Sequence, residues 1–189
     1  MALDMSNRWL LWIALAVLLF WSVGAYNRLV RLRGAVRVAF DTLDQQWRQH
    51  VEMVRACLPA SADASEESPG RLMDAMDSFW AGLAGAANQF VASLAAARAR
   101  PFDPDAIAAL ATAREVLAMA WQRVQNEGED LAGAPLPQDL QAQWQQFTVQ
   151  TALAAEAFNR AVTNYNDGIA QFPALLLASL FAFKPARAL

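Results

Sequence analysis

The sequence predicts an all-α protein: an N-terminal transmembrane helix followed by an antiparallel four-helix bundle with long first and fourth helices. Three observations carry that prediction. Apolar residues make up 56% of the 189-residue chain, above the roughly 45–50% of globular proteins, and much of the excess is alanine, the best helix former. No stretch alternates apolar and polar residues as a half-buried strand does. One uncharged run near the N-terminus is long enough to cross a bilayer.

That run is Trp9 to Asn27, 19 residues without a charge. About 20 apolar residues span the hydrocarbon core as a helix. Trp9, Trp12, Trp21 and Tyr26 lie toward its ends, where an aromatic belt belongs. A cleaved signal peptide is the alternative, with Arg8 as its basic region and Val23-Gly24-Ala25 as its cleavage site. The run is long for such a peptide, and helical periodicity continues past the possible cut, so a retained anchor is the preferred reading. Residues 1–27 thus form the N-terminal segment and membrane span, 28–171 the bundle, and 172–189 an apolar C-terminal tail.

The first bundle helix follows the span directly. Leu29, Leu32, Val36, Phe40, Leu43, Trp47, Val51, Val54 and Leu58 recur in steps of three and four, one face of a helix of about 30 residues. No proline falls before Pro59, so span and helix read as one rod, with Gly24 and Gly34 as its weak points. Residues 59–70, PASADASEESPG, are a loop by composition. Ser68-Pro69 then gives an N-cap and first helical position. The second stripe is Leu72, Met76, Phe79, Leu83, Ala86, Phe90 and Leu94, ending before Arg100-Pro101. Asp103-Pro104 caps a third helix that turns Ile107, Leu110, Leu117, Trp121 and Val124 inward. A second loop is expected over Glu127–Pro137. The fourth helix runs from about Gln138 to Gln171, with Leu140, Trp144, Phe147, Thr151, Ala154, Phe158, Val162, Tyr165, Ile169 and Phe172 inward. Pro173 opens the tail, whose part from Ala174 to Phe183 is too short to span a bilayer and is expected either in the interface or packed on the base of the bundle.

Charge is unevenly placed. Arg28, Arg31, Arg33 and Arg37 follow the span with no acid among them, whereas from residue 41 onward 17 acids face 10 bases, a net charge of −7. A basic collar beside an apolar run suits a membrane surface; an acidic body argues against nucleic acid. These membrane-flanking arginines outnumber Arg8 on the other side, so the positive-inside rule places the bundle in the cytoplasm. Lys184 and Arg187, past the apolar tail, could meet anionic headgroups as well.

Tyr26-Asn27-Arg28-Leu29-Val30-Arg31-Leu32-Arg33 follows the span. Phe158-Asn159-Arg160-Ala161-Val162 precedes Tyr165-Asn166, and Ile169-Ala170-Gln171-Phe172-Pro173 and Phe181-Ala182-Phe183 come last. In order and spacing these segments resemble the LemA family, with its YNxLVxLR segment and its YNxxVxxYN…FP…FGF ending. The middle departs from it. Asp44 and Gln46 match the family's Asp-Val-Gln-Leu-Lys-Arg-Arg run, but Gln49 and His50 replace the arginine pair and Arg55 its following proline; Ala155 and Thr148 stand where arginine and an acid are usual. The chain is similar to a divergent member. The resemblance implies an anchor in the bacterial inner membrane and a helical domain, with no established enzymatic activity.

Chemistry-bearing groups are few. His50 is the only histidine and Cys57 the only cysteine, short of the three or four ligands a zinc site needs. Asp74 and Asp77 read as a solvated helix face. There is no phosphate-binding glycine loop, GxSxG or HExxH, so no catalytic, cofactor or metal site is expected. Asn159 and Asn166, seven apart, share a helix face; with Asn27 they are candidate inter-helix polar contacts to the first helix, setting register as a core asparagine does in coiled coils. A polar binding site is the alternative. The function these features suggest is a non-catalytic membrane-anchored scaffold or adaptor that binds protein partners the residues do not name; self-association stays open. The alternative is a membrane-surface organiser acting on the bilayer through its collar and tail.

Overall fold

The computed structural model describes the backbone of residues 2–58, 71–132, 137–172 and 174–189, and the side chains of 9–58, 78–126, 137–172 and 174–189. The loop at 59–70, the Ser68-Pro69 cap, Pro173, and the side chains of Leu72, Met76, Asp74 and Asp77 lie outside those residues. The described chain is helical with no strand: α1 (Ala2–Cys57), α2 (Arg71–Ala99), α3 (Pro104–Ala132), α4 (Gln138–Ala170) and a short α5 (Ala174–Leu180).

α1 is one uninterrupted helix of 56 residues, about 84 Å at 1.5 Å per residue. It continues through Gly24 and Gly34, where an added Cβ would meet nothing within 4 Å. Its two parts differ in surroundings. Trp9 to Val23 is bare, with Phe20 86% exposed; a soluble protein rarely shows so large an apolar surface. This is the one described helix long and apolar enough to cross a membrane. Burial begins at Leu29 and repeats at Val36, Phe40, Leu43, Trp47, Val51 and Val54, the stripe the sequence predicts.

Residue pairs between helices fix the topology. Along α1 and α4, Leu32 meets Gly168, Phe40 meets Phe158 and His50 meets Trp144. One number rises as the other falls, so the helices are antiparallel. Asp44 with Arg98 and Trp47 with Phe90 set α2 antiparallel to α1 in the same way. Phe102 with Tyr165 and Trp121 with Trp144 do so for the α3 end and α4. The closest-packed pairs are α1 with α4 and α2 with α3. The core between them is mainly Phe40, Leu43, Trp47, Phe90, Leu110, Trp121, Phe158 and Tyr165.

Element ends follow local chemistry. Asp103 Oδ1 accepts from the Asp105 amide at 3.1 Å, an N-cap with Pro104 at the first helical position. Two boundaries differ from expectation. α3 continues to Ala132, so Glu127–Ala132, expected as loop, is helical. The stretch is polar, but Glu127, Glu129, Leu131 and Ala132 are good helix formers and no proline intervenes before Pro135. Phe172, expected inward, is 80% exposed. It lies past the α4 C-cap at Gln171, where the helical period no longer sets its direction.

The C-terminal tail does more than the sequence predicts. After α5 the chain reverses at Ala182, whose φ is 53°. The Phe183 amide donates to the Ala178 carbonyl at 2.9 Å and the Ala182 amide to the Ser179 carbonyl at 3.5 Å. That pair is a Schellman motif, with Ala182 in the left-handed position usually given to glycine. Residues 183–189 then run in non-helical conformation back along α4.

Candidate functional site

Two places in the bundle gather polar and aromatic side chains. The first is its base, beside the end of the apolar run. Asn166 Nδ2 donates to the Ala186 carbonyl at 2.8 Å, and its Oδ1 accepts from the Ala186 amide at 2.9 Å. One turn pair earlier, Asn159 does the same with Leu189, at 3.2 and 2.8 Å. Between them the Tyr165 hydroxyl donates to the Lys184 carbonyl at 2.9 Å. Seven-residue spacing does put the two asparagines on one face, but that face meets the returning tail, not the first helix. Each amide satisfies one backbone N–H and one C=O, as a neighbouring strand would. Asn27, the third candidate, is exposed on α1.

The arginines of the collar divide into two kinds. Arg33 lies over the Phe102 ring at 4.9 Å and the Phe183 ring at 5.6 Å, and Arg37 over Phe102 at 5.8 Å. These two are held against the bundle by cation–π contacts. Arg28 donates to Gln171 Oε1 at 2.9 Å across the exposed edge, and Arg31 is exposed. Burial pushes the Tyr165 phenol up, partly offset by the Arg33 charge, so it remains a donor at neutral pH. Tyr26 packs against Phe181 and Phe183, centroids 5.0 and 6.2 Å apart. α5 buries Ala174 and Ala178 on the bundle, while Leu175, Leu176 and Leu180, with Phe181 just after it, stay exposed.

The second place is higher, between α3 and α4. Trp121 and Trp144 stack with centroids 4.3 Å apart and planes 6° from parallel. His50 meets Trp144 edge-on at 4.3 Å and lies parallel to Phe147 at 5.7 Å. Beside them opens a cavity of about 420 Å³, lined by Trp47, His50, Phe90, Trp121, Trp144 and Thr151 among others. Burial drives the His50 imidazole down to about 4, so it is neutral at pH 7 and poorly suited to acid catalysis there. Asp44 and Glu52, its carboxylate neighbours in sequence, do not join it: Asp44 pairs with Arg48 at 3.2 Å and Arg98 at 3.4 Å, and Glu52 with Arg55 at 3.7 Å. Burial raises the Asp44 carboxyl, against the pull of Arg48. Cys57 is half-buried, its thiol raised by burial and then by Asp139, and so is a weak nucleophile. Among the described residues no group of three or more His, Cys, Asp or Glu could hold a metal.

This architecture defines a class: a helical bundle whose first helix leaves it as a bare apolar segment and whose C-terminal segment is tied across its base. The chain belongs to the LemA family, whose model matches residues 78–189. The match covers the asparagines, Tyr165, α5 and the returning tail, whereas the apolar run and arginine collar precede it. No curated protein and no solved structure matches the chain.

Sequence reasoning offered packing on the base as one of two places for Ala174–Phe183, but missed the return of residues 184–189 along α4 and the residues that close the base. Gly168 is one: a Cβ there would lie 2.5 Å from Leu32 Cδ1, so its bareness lets α4 approach α1 at the base. The aromatic cluster around His50 was legible only as two separate stripes.

Proposed function

We propose that this protein is a non-catalytic adaptor anchored in the bacterial inner membrane, holding its bundle in the cytoplasm to bind a protein partner. The observation that carries the proposal is the continuity of α1: a bare apolar run and the longest bundle helix are one helix. Such a helix fixes the standoff and orientation of the bundle, which a scaffold needs and a diffusible enzyme does not. Asn159, Tyr165 and Asn166 are spent on internal hydrogen bonds to the tail, which favours a structural role for them. The arginine excess after the span supports the cytoplasmic side. The test is site-specific photo-crosslinking of the full chain in its own membranes, from exposed positions on α2 and α3. Recurrent crosslinking of one protein supports the adaptor; crosslinks between copies would indicate self-association in its place, and no protein adduct from any position would refute it.

One observation favours a second reading, in which the protein organises the membrane surface. Leu175, Leu176, Leu180 and Phe181 are exposed on and just after α5, and Phe181 packs beside Tyr26 near the end of the apolar run, with Arg31, Lys184 and Arg187 exposed nearby in sequence. An amphipathic patch at that height lies in the interface, and each cation there contributes about 1 kcal/mol with anionic lipid. A dye on Leu180→Cys in full-length protein, reconstituted with brominated lipids, reads this directly. Quenching of the dye supports interfacial contact; a dye insensitive to bromine leaves α5 as a wall of the bundle only.

A further inference from the structure

Arg33 and Arg37 sit one turn apart on α1 at the base of the bundle, and both guanidinium groups lie on the Phe102 ring, at 4.9 and 5.8 Å. Arg33 also lies on the Phe183 ring at 5.6 Å. It is half-buried, with its Nε enclosed and without a hydrogen-bond partner. The enclosure stops there: its two terminal nitrogens reach the surface and are likewise unpartnered. Among the described residues neither arginine meets a carboxylate within 4 Å. Asp103, beside Phe102, pairs with Arg100 at 3.0 Å, and Asp44 with Arg48 and Arg98. Asp41, one turn past Arg37, is exposed.

Such a pair is costly as it stands. Like charges one turn apart on a helix repel. A partly desolvated cation without a counter-charge loses hydration that ring contacts return only in part. The two rings hold Arg33 in one orientation, so much of the ordering that an anion would demand is already met. What completes the pair is an anion with enough oxygens for two guanidinium forks. A carboxylate has two oxygens, and one bidentate arginine uses both. A phosphate group offers three or more and bridges the two arginines. Lys184, next to Phe183 in the chain, is exposed and adds a third positive charge to this part of an otherwise acidic bundle.

We infer that Arg33 and Arg37, set on Phe102, form a binding site for a phosphate group, with the terminal nitrogens of Arg33 and the guanidinium of Arg37 donating to its oxygens. Tyr26 to Arg33 is seven residues, about 10 Å of helix, and a headgroup layer is about 5–7 Å deep. With the apolar run set in a bilayer, Arg33 stands at the upper edge of the headgroups and Arg37 just above them. The phosphate is therefore that of an anionic lipid or a free one, and the chemistry of the site is the same for both. The site is separate from the exposed patch of α5, whose contact with lipid is apolar.

Full-length protein in neutral detergent micelles, labelled with ¹⁵N at arginine, gives an Nε–H signal for Arg33 that its enclosure protects from exchange, and Arg33→Lys assigns that signal by its loss. Inorganic phosphate at constant ionic strength shifts it saturably, with a Kd below about 5 mM, and acetate needs at least about tenfold more to do the same. Phosphatidylglycerol doped into phosphate-free micelles is the second arm. Stoichiometric saturation by the lipid identifies a headgroup as the source; a lipid without effect beside a saturable phosphate shift identifies free phosphate. Arg37→Gln, at an exposed position, weakens whichever ligand binds by at least about fivefold. Arg31→Gln leaves binding unchanged, since Arg31 is exposed and, two residues before Arg33, points from another face of the helix. A signal moved by neither ligand, equal potency of acetate, or equal weakening in Arg31→Gln and Arg37→Gln would each overturn the inference.

Discussion

α1 and α4 lie side by side along the bundle, yet their contact at the base and their contact higher up are built from different residues. At the base Gly168 lets the helices close until an added Cβ would lie 2.5 Å from Leu32 Cδ1, and the carboxamides of Asn159 and Asn166 are matched on both sides by backbone. Higher up, His50 is wedged against Trp144 and Phe147, and α3 stands off from α4. There two nitrogens are buried without partners. Small residues at a helix interface give close approach and leave no room for a ligand; large flat ones set a spacing that side chains cannot refill. The base keeps a buried orphan of its own, Arg33 Nε, lying on the Phe102 and Phe183 rings; the upper contact differs in having a cavity beside it.

The largest effect that would break this comparison comes from truncating one core aromatic in each region. Phe158→Ala empties a fully enclosed site against Phe40 and should cost about 4–5 kcal/mol, whereas Trp47→Ala, next to the cavity, should cost nearer 3, since neighbours there have room to relax into the space left. Denaturant unfolding of both variants reads the difference; equal losses would mean the upper region is packed as tightly as the base.

The next concerns pH. Burial holds His50 at about 4 against 6.5 unfolded, so the unfolded chain takes up a proton first as pH falls. His50 thus adds no penalty above pH 6.5, and stability drops between 6.5 and 4 by about 3 kcal/mol. Arg114 and Glu115 share the cavity lining with it. Comparison with His50→Phe isolates the histidine: the variant should lose that much less over the same window. Parallel pH profiles would place His50 in water.

A smaller loss should follow from untying the base. Asn166→Ala removes both bonds to Ala186 and leaves its amide and carbonyl to find water, costing about 2 kcal/mol. Hydrogen exchange should quicken at the Ala186 amide, and protection at Trp121 should be unaffected. Exchange that speeds up equally in both places would show one cooperative unit.

The smallest change sharpens the contrast by improving the base. Ala182 holds a positive φ of 53°, so Ala182→Gly should stabilise the chain by about 1 kcal/mol, raising the melting temperature a few degrees. A melt unchanged or lowered would mean the entropy gained by the unfolded glycine chain outweighs the relief of strain.

That alanine marks the boundary of what the residues announce in order. The stripe from Leu29 to Val54 and the Asp103-Pro104 cap were legible because their partners lie within a few positions and repeat with the helical period. The shared face of Asn159 and Asn166 was legible for the same reason. Their partners were not, since Ala186 and Leu189 lie 20 and 30 residues further on, in a segment with no period of its own. The reversal that brings them back depends on a left-handed alanine, where local preference points the other way. The cavity was hidden for another reason: Trp121 and Trp144 each belonged to a sound stripe, and only their meeting in space keeps α3 from closing on α4.

Length gives α1 a mechanical meaning. From Tyr26 to His50 is 24 residues, about 36 Å of unbroken helix, so tilting the anchor by roughly 10° swings the imidazole sideways by about 6 Å if the rest stands still. The rest moves with it, because α4 packs along α1 from Leu32 to His50. Were the apolar run set in a bilayer, a change in thickness that reset its tilt would therefore swing the bundle as one body and carry the end near His50 furthest.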